Sequence, residues 1–312
     1  MALFLKRAFV FIIPFLAIIA IEGIIDPFNY FSAEKNKKLI EAKRDISLKK
    51  NAYLYTLIEY DREPASTVIL GDSRAGRLSP AFFDGLTNEK VANLAGGGGS
   101  LEDVIKIFWD ISNQKKLKKI YIGISIETYS GTLLKDRVTP SITIKNSMPL
   151  YLLNQFTFES TFLICKSMLL NEKINIEKPP FTKEEFWKRQ LQIEDRYLNN
   201  YSYPKNYYQG LKKIADYCEK NTISLVFFVS PTHVDLQQKI KEYKLGGQYE
   251  KFKNDLKSFG DVYDFNFPGI ITNDKNNFPD PFHCSDSVSR IVIKEMVLEK
   301  PEYSVLTKHN KN

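Results

Sequence analysis

The sequence predicts an α/β protein built on a central parallel sheet of five strands, preceded by an N-terminal transmembrane helix. Three observations predict it. Short apolar runs such as "STVILG" (66–71) and "KIYIGISI" (119–126) are of the kind buried on both faces of a parallel sheet. Helix-patterned stretches separate these runs, giving the alternation that right-handed crossovers require. An apolar segment from Ala8 to Ile25 follows Lys6 and Arg7, interrupted only by Pro14, Glu22 and Gly23.

With Leu3 to Leu5 added, that first segment reaches the roughly 20 residues that a bilayer-spanning helix needs. Lys6 and Arg7 on its amino side predict a cytoplasmic N-terminus, single-pass insertion in an inner or cytoplasmic membrane, and an exported remainder. A cleaved signal peptide is the rival reading, but no small-x-small cleavage site follows the apolar core. Residues 26–63 are charge-mixed with helix-like apolar spacing and read as a juxtamembrane helical linker, which Pro64 closes. The expected organisation is an anchor at 1–25, the linker at 26–63, a domain at 64–304 with an insertion at about 127–204, and a basic tail at 305–312.

Within the domain the elements follow in order. The strand at 66–71 leads to a short helix with Ser79 as N-cap and Pro80 at its first position. "KVANLA" (90–95) is the second strand. Ser100 and Asp103 form a capping-box start for an amphipathic helix, whose Leu101, Val104, Ile105, Ile107, Phe108 and Ile111 share one broad face. The third strand is 119–126, a helix covers 205–221, the fourth strand is "ISLVFFVSP" (223–231) and a fifth is "DVYDFN" (261–266). "SVSRIVIKEMVLE" (287–299) is the last helix. The insertion is apolar and charged without strand–helix rhythm. It is expected either to cover a sheet edge and shape the acceptor side of a site, or to be a structural subdomain.

Composition narrows the function classes. Of the 312 residues, 43% are apolar and 13% aromatic, which excludes a disordered chain. The net charge of +7 gathers in clusters: Lys35, Lys37, Lys38, Lys43 and Arg44; Lys115, Lys116, Lys118 and Lys119; Lys308 and Lys311. These read as solvated faces or as surfaces toward anionic lipid or polymer. No zinc-finger, homeodomain or RNA-binding signature accompanies them, so nucleic acid is not an expected partner. Cys165, Cys218 and Cys284 have no metal-ligand spacing and form no C-x-x-C pair, so neither metal nor cofactor is expected.

The chemistry-bearing residues gather at one sheet edge. Gly71-Asp72-Ser73 follows the first strand, and a four-glycine run, Gly96 to Gly99, follows the second. Asp280-x-x-His283 precedes the last helix, a spacing that lets a carboxylate fix one imidazole nitrogen and free the other as a base. All three loops should open at the carboxyl ends of the strands, where α/β sheets bind ligands. His233, after the fourth strand, falls at the same edge. His309 lies in a tail with no evident chemistry, Cys284 lacks a base of its own, and Arg77 reads as a surface residue.

These blocks, in this order over about residues 64–300, resemble the SGNH (GDSL-type) hydrolase superfamily, a three-layer flavodoxin-like fold. The resemblance implies Ser73 as nucleophile, His283 as base and Asp280 as its orienting acid. It implies an oxyanion hole from the backbone of Ser73 and of Gly98, with Gly97 and Gly99 as alternatives, and places Asn93 at the end of the second strand. The family's third block, G-x-N-D, departs here to "GISIET" (123–128). Ser125 or Thr128 then replaces the missing asparagine, or the hole is backbone only. Arg74 is either a contact for an anionic group or the partner of Asp72 or Asp286. The possible substrate contacts are therefore Arg74, Asn93, Ser125, Thr128 and His233.

The anchor and the "DPFN" turn (26–29) make the chain similar to a membrane-anchored branch that includes the D-alanine transfer protein of teichoic-acid modification and the acetylation proteins of alginate. That resemblance implies O-acyl transfer to, or ester hydrolysis on, a cell-envelope polysaccharide or polymer through a Ser73 acyl-enzyme. It further implies an acyl donor and a membrane-bound O-acyltransferase as partners. The alternatives are a catalytically silent domain of the same fold that binds polysaccharide or docks the acyltransferase, and an α/β protein with an accidental "GDS".

Overall fold

The structure, a computed structural model, describes residues 1–32, 34–112, 117–132, 136–171 and 181–309, without the side chains of residues 2, 3, 5 and 8. Lys115, Lys116, Lys311 and the 172–180 stretch of the expected insertion lie outside the described residues. In chain order the elements are α1 (Ala2–Ile25), α2 (Lys37–Arg62), β1 (Thr67–Gly71), α3 (Pro80–Thr87), β2 (Val91–Asn93) and α4 (Leu101–Ile111). Then come β3 (Lys119–Gly123), α5 (Val138–Lys145), α6 (Met148–Leu152), α7 (Gln155–Leu170), α8 (Lys183–Asn199) and α9 (Lys205–Lys220). The chain closes with β4 (Ser224–Val229), α10 (Val234–Glu242), α11 (Gly246–Lys257), β5 (Asp261–Asp264), α12 (Asp286–Leu298) and β6 (Val305–Thr307). It divides into two compact units, residues 1–63 with 138–178, and residues 64–137 with 179–312.

The first unit is helical. Its hub is the "DPFN" turn, where Asp26 takes a left-handed conformation at the end of α1. The Asp26 carboxylate accepts the backbone N–H groups of Tyr30 at 2.7 Å, Phe31 at 2.8 Å and Ser32 at 3.2 Å, and the Tyr151 hydroxyl at 2.7 Å. Asn29 bridges Lys43 and Glu59, and Ser47 donates to the Pro27 carbonyl at 2.6 Å. From Lys37 to Arg62 the expected helical linker is α2, kinked at Asn51. Residues 138–171 of the expected insertion belong to this unit and pack on α1 and α2 through α5 to α7. Among the described residues no helix is long and apolar enough to cross a membrane. The expected transmembrane helix is therefore not found as such. The segment is a helix, α1, but it carries Lys6, Arg7 and Glu22, and four of its apolar side chains lie outside the described set.

The second unit is an α/β domain with a six-stranded sheet in the order β2-β1-β3-β4-β5-β6. The five expected strands are all parallel, and their 2-1-3-4-5 order is that of flavodoxin-like sheets. The sixth strand corrects the expected five-stranded sheet. Val305–Thr307, expected as basic tail, pairs antiparallel with β5, and Lys308 anchors it to Asp261 at 3.0 Å and Glu299 at 3.1 Å. Ile69, Tyr121, Val226, Phe228 and Tyr263 pack with Phe83, Val292, Ile293 and Met296, so α3 and α12 cover one face. Alternate residues face the other side, where α4 packs on β1 and α9 on β4. The capping residues behave as the sequence predicts: Ser79 accepts the Phe82 N–H, and Ser100 and Asp103 cap reciprocally.

Strand order reverses between β1 and β3, which opens a crevice at their carboxyl ends. There Gly71 and Gly123 lie in register. A Cβ on Gly71 would meet the Gly123 carbonyl oxygen at 2.5 Å and the Ala75 Cβ at 2.7 Å, and its φ of +144° suits only glycine. Gly71→Ala should therefore lose about 2–4 kcal/mol from overpacking and backbone strain together. Gly85→Ala, in a helix with open space around its Cβ, should be neutral or stabilising. Urea unfolding midpoints of the two variants check the pair.

Candidate active site

The turn after β1 is fixed before it presents anything. Asp72 accepts the Arg74 N–H at 2.9 Å, the Gly76 N–H closes on the Asp72 carbonyl at 2.9 Å, and Ala75 is sealed against the glycine pair. Asn93 clamps the turn from β2, donating to the carbonyls of Ala75 and Leu78, each at 2.9 Å. Its amide oxygen accepts the Ala95 N–H. Asn93 thus supports the turn that carries Ser73, with its donors and its acceptor all engaged by backbone and none left for a substrate. Ser73 is left half-buried at the crest.

His283 closes on it from the far end of the sequence. Its Nε2 lies 2.8 Å from Ser73 Oγ, and its Nδ1 lies 2.9 Å from both oxygens of Asp280. Asp280 also accepts the N–H groups of Phe282 at 3.0 Å and His283 at 3.2 Å, so the loop wraps its own carboxylate. Burial pushes the Asp280 carboxyl up, but the His283 ring and these N–H groups outweigh it and hold the carboxyl below its usual value. With Asp280 ionised, Nδ1 keeps its proton and Nε2 faces the serine as an acceptor.

Ser73, Gly98, Gly99 and His283 line one cavity of about 190 Å³, with Asp72, Arg74, Glu127, Thr128, Gln190, Ile193, Tyr197 and Phe282. Among the glycines, the Gly99 N–H donates to the Gly96 carbonyl, and Gly97 is outside the lining. Gly98 holds a left-handed φ of +67°. Among the described residues no protein acceptor engages the Ser73 or Gly98 N–H, so both remain available to an oxyanion. Little helix field acts at Ser73, since a single 3₁₀ turn, Ala75–Arg77, follows it and α3 starts only at Pro80.

The third block holds no free donor. Ser125 Oγ accepts from the Arg74 guanidinium and gives its own proton to the Glu127 carboxylate, and the Thr128 hydroxyl donates to the Ser125 carbonyl at 3.0 Å while accepting the Ser125 N–H. Thr128 borders the cavity, Ser125 does not, and neither hydroxyl replaces the missing asparagine. His233 is also corrected as a substrate contact. Its Nδ1 accepts the Asp235 N–H at 3.1 Å and caps α10, its ring is packed between Trp187 and Phe278, and burial lowers its pKa. Cys284 is buried against Ser289, with its thiol pushed up by burial. His309 is tied to Lys257 and Asp261 at the far end of β5.

Beneath the cavity lies a charged cluster. Arg74, 8% exposed, pairs with Asp72 at 2.6 Å and Glu127 at 3.2 Å and sits over the Phe282 ring. Burial alone would favour loss of its proton, but the two carboxylates outweigh that and hold it more firmly. Arg74 is therefore a structural cation whose charge is already matched, and Asp286 is not its partner. Glu127 faces Glu194 on α8, which is fully buried and receives no N–H or hydroxyl donor. Burial, and then the Glu127 charge, push the Glu194 carboxyl well above its usual range. A protonated Glu194 donates to Glu127, whose own carboxyl ends below its usual value because Arg74 and these hydrogen bonds outweigh burial. Glu127, Ile193 and Tyr197 also border a second cavity of about 320 Å³, with Ser130, Thr132, Arg196 and Asn200. A larger cavity, about 800 Å³, lies between Lys106 and Tyr207 and contains none of the residues of the serine–histidine pair.

No protein-family model matches the chain, and no curated protein does. Solved structures similar to it include a GDSL-like lipase from Bacteroides thetaiotaomicron, at 8% identity and a TM-score of 0.39 over 80% of this chain and 100% of that one. A candidate acylhydrolase from Bacteroides fragilis aligns at 11% identity and a TM-score of 0.38, covering 75% and 86% of the two chains. A candidate lipolytic protein of the G-D-S-L family from Desulfitobacterium hafniense aligns at 13% and 0.33, covering 75% and 98%. These superpositions are loose, and the assignment of chemistry rests on the site itself.

Glu194 also sets a pH dependence. Unfolded, it ionises near 4.5; folded, it keeps its proton to higher pH. The folded state then binds more protons, so stability falls as pH rises from about 4.5 toward the folded pKa. Glu194→Gln, which keeps a donor and cannot ionise, should be more stable than the native chain at pH 8 and indistinguishable from it at pH 4. Denaturant titrations at the two pH values check this.

Proposed function

We propose that this protein is an SGNH-type serine acyl-ester enzyme, acting at a membrane on an O-acylated polysaccharide or polymer of the cell envelope. One observation carries the reading: Ser73 Oγ lies 2.8 Å from His283 Nε2, with Asp280 on the other ring nitrogen. Ser73 attacks the acyl carbonyl as His283 takes its proton, and Asp280 stabilises the imidazolium. The N–H groups of Ser73 and Gly98 hold the tetrahedral oxyanion. His283 returns the proton to the leaving oxygen, which leaves an acyl-Ser73. Water or a sugar hydroxyl, deprotonated by the same imidazole, then attacks that ester. Water makes the enzyme an esterase and a hydroxyl makes it an O-acyltransferase. The second cavity, bordered by Glu127, Ser130, Thr132 and Arg196, supports space for an acceptor beside the acyl site.

Membrane attachment is part of the proposal. α1 covers 24 residues, about 36 Å at 1.5 Å per residue, and its Phe9, Phe11, Ile12, Ile13, Phe15 and Leu16 are all exposed. Its basic residues lie at the amino end, which supports a cytoplasmic N-terminus and an extracytoplasmic domain. The same reading has a membrane-bound O-acyltransferase hand acyl groups to Ser73.

A second reading, a silent domain that binds polymer or docks the acyltransferase, is favoured by the absent third donor. Loss of one such donor costs about 10²–10³ in rate. A fluorophosphonate probe separates the two. The enzyme should label at Ser73, labelling should vanish in Ser73→Ala and His283→Ala, and ester turnover in Asp280→Asn should fall by about 10⁴. A folded chain that binds polymer but never labels contradicts the enzyme reading.

A further inference from the structure

α7 is built with its polarity inverted. Its residues facing the first unit are small and hydroxylic: Thr157, Ser160 and Thr161 are buried, with Ile164 the one large apolar side chain among them. The spacing, i, i+3, i+4, i+7, is that of a single helix face. The opposite face carries the bulk. Phe158 is 49% exposed, Phe162 62% and Leu169 84%, at spacings of four and seven residues, and Leu170 extends the patch at the end of the helix. A surface helix in water does the reverse, turning its apolar stripe inward and its polar residues outward. Small and hydroxyl residues at helix contacts, with large apolar side chains outward, are the pattern of helices solvated by lipid.

The neighbouring helix says what covers this face. α7 packs against α1 within the same unit, and α1 presents its own exposed apolar side chains, Phe9 to Leu16 among them. α7 spans 16 residues, about 24 Å, too short to cross a bilayer's hydrocarbon core of about 30 Å. Lys50 and Gln155 bind Glu159, each at 2.5 Å, so the one acidic residue of α7 is neutralised. Lys166, the only exposed charge among its described side chains, lies on this same face, four residues after Phe162 and three before Leu169, and its long stem lets the ammonium reach the lipid headgroups while the neighbouring apolar side chains stay in the acyl boundary.

We propose that the Phe158–Phe162–Leu169 face of α7 is a second membrane contact, lying in the lipid surface beside α1 rather than crossing it. The proposal rests on the reading of α1 as a membrane helix. It adds that the helical unit is seated on the bilayer by two helices, with the occupant of the exposed face being lipid and not a second protein. Seating by α7 fixes the orientation of this unit on the membrane, which a single anchor helix leaves free to rotate.

The test uses the full chain with its three cysteines replaced, reconstituted into phosphatidylethanolamine–phosphatidylglycerol vesicles. Single nitroxide labels are placed at Leu169, at Phe11 in α1 and at Lys220 as a water-facing reference. The expected result is a several-fold higher ratio of oxygen to nickel-chelate accessibility at Leu169 than at Lys220, with a high ratio also at Phe11. A water-like ratio at Leu169 with a lipid-like ratio at Phe11 overturns this proposal and leaves the anchor standing. Water-like ratios at both positions overturn the anchor reading and this proposal with it. Inaccessibility of Leu169 to both reagents shows a protein cover, a second copy or another segment of this chain, and also overturns it.

Discussion

Everything at the candidate site depends on how closely β1 and β3 approach at their carboxyl ends. Gly71 and Gly123 let Ala75 drop into the crevice, and the turn that follows β1 then has one position available to it. Asn93 from β2 and the Asp72–Arg74 pair hold that turn from either side. Ser73 is presented by a turn whose backbone is already placed. The imidazole then only has to arrive, and the Asp280 loop delivers it with the ring orientation set by a carboxylate that its own N–H groups hold.

The same crevice explains the charge buried below it. A carboxylate near a developing oxyanion would oppose the chemistry, and Glu127 borders the cavity. Arg74 answers it from one side and the Glu194 carboxyl from the other, so the cluster of Asp72, Arg74, Glu127 and Glu194 keeps a single net negative charge when Glu194 is protonated, instead of the two it would carry with Glu194 ionised. α8, which supplies Glu194, also supplies Gln190, Ile193 and Tyr197 to the cavity wall. One protonated carboxyl thereby joins the wall of the site to the loop after β3.

Where the sequence was legible, local chemistry and position agreed. Ser73 and His283 were readable because each stands at the end of a strongly patterned element, and parallel topology brings such ends to one edge. Asn93 was placed but misread: a strand-end amide has no local sign of whether carbonyls of another segment will occupy it. His233 failed for the converse reason, since a histidine before a helix is as able to cap as to bind. Glu194 could not be found at all. It lies in "WKRQLQIEDRYLN", a run charged enough to read as a solvated face, and neither its burial nor its pairing with Glu127 from another element leaves a local sign. β6, three residues set among polar and charged ones, was too short to stand out from a tail, and pairs because β5 offers an edge. The inverted face of α7 was hidden because an apolar helix reads the same whichever side is turned in.

The central claim is that Ser73 becomes acylated. The most direct measurement is acid quenching of the full chain during turnover of p-nitrophenyl acetate, followed by peptide mass spectrometry. The account requires a single acetyl group on Ser73, accumulating in the native chain and missing in His283→Ala. Acetylation elsewhere, or turnover that persists unchanged in Ser73→Ala, would contradict it.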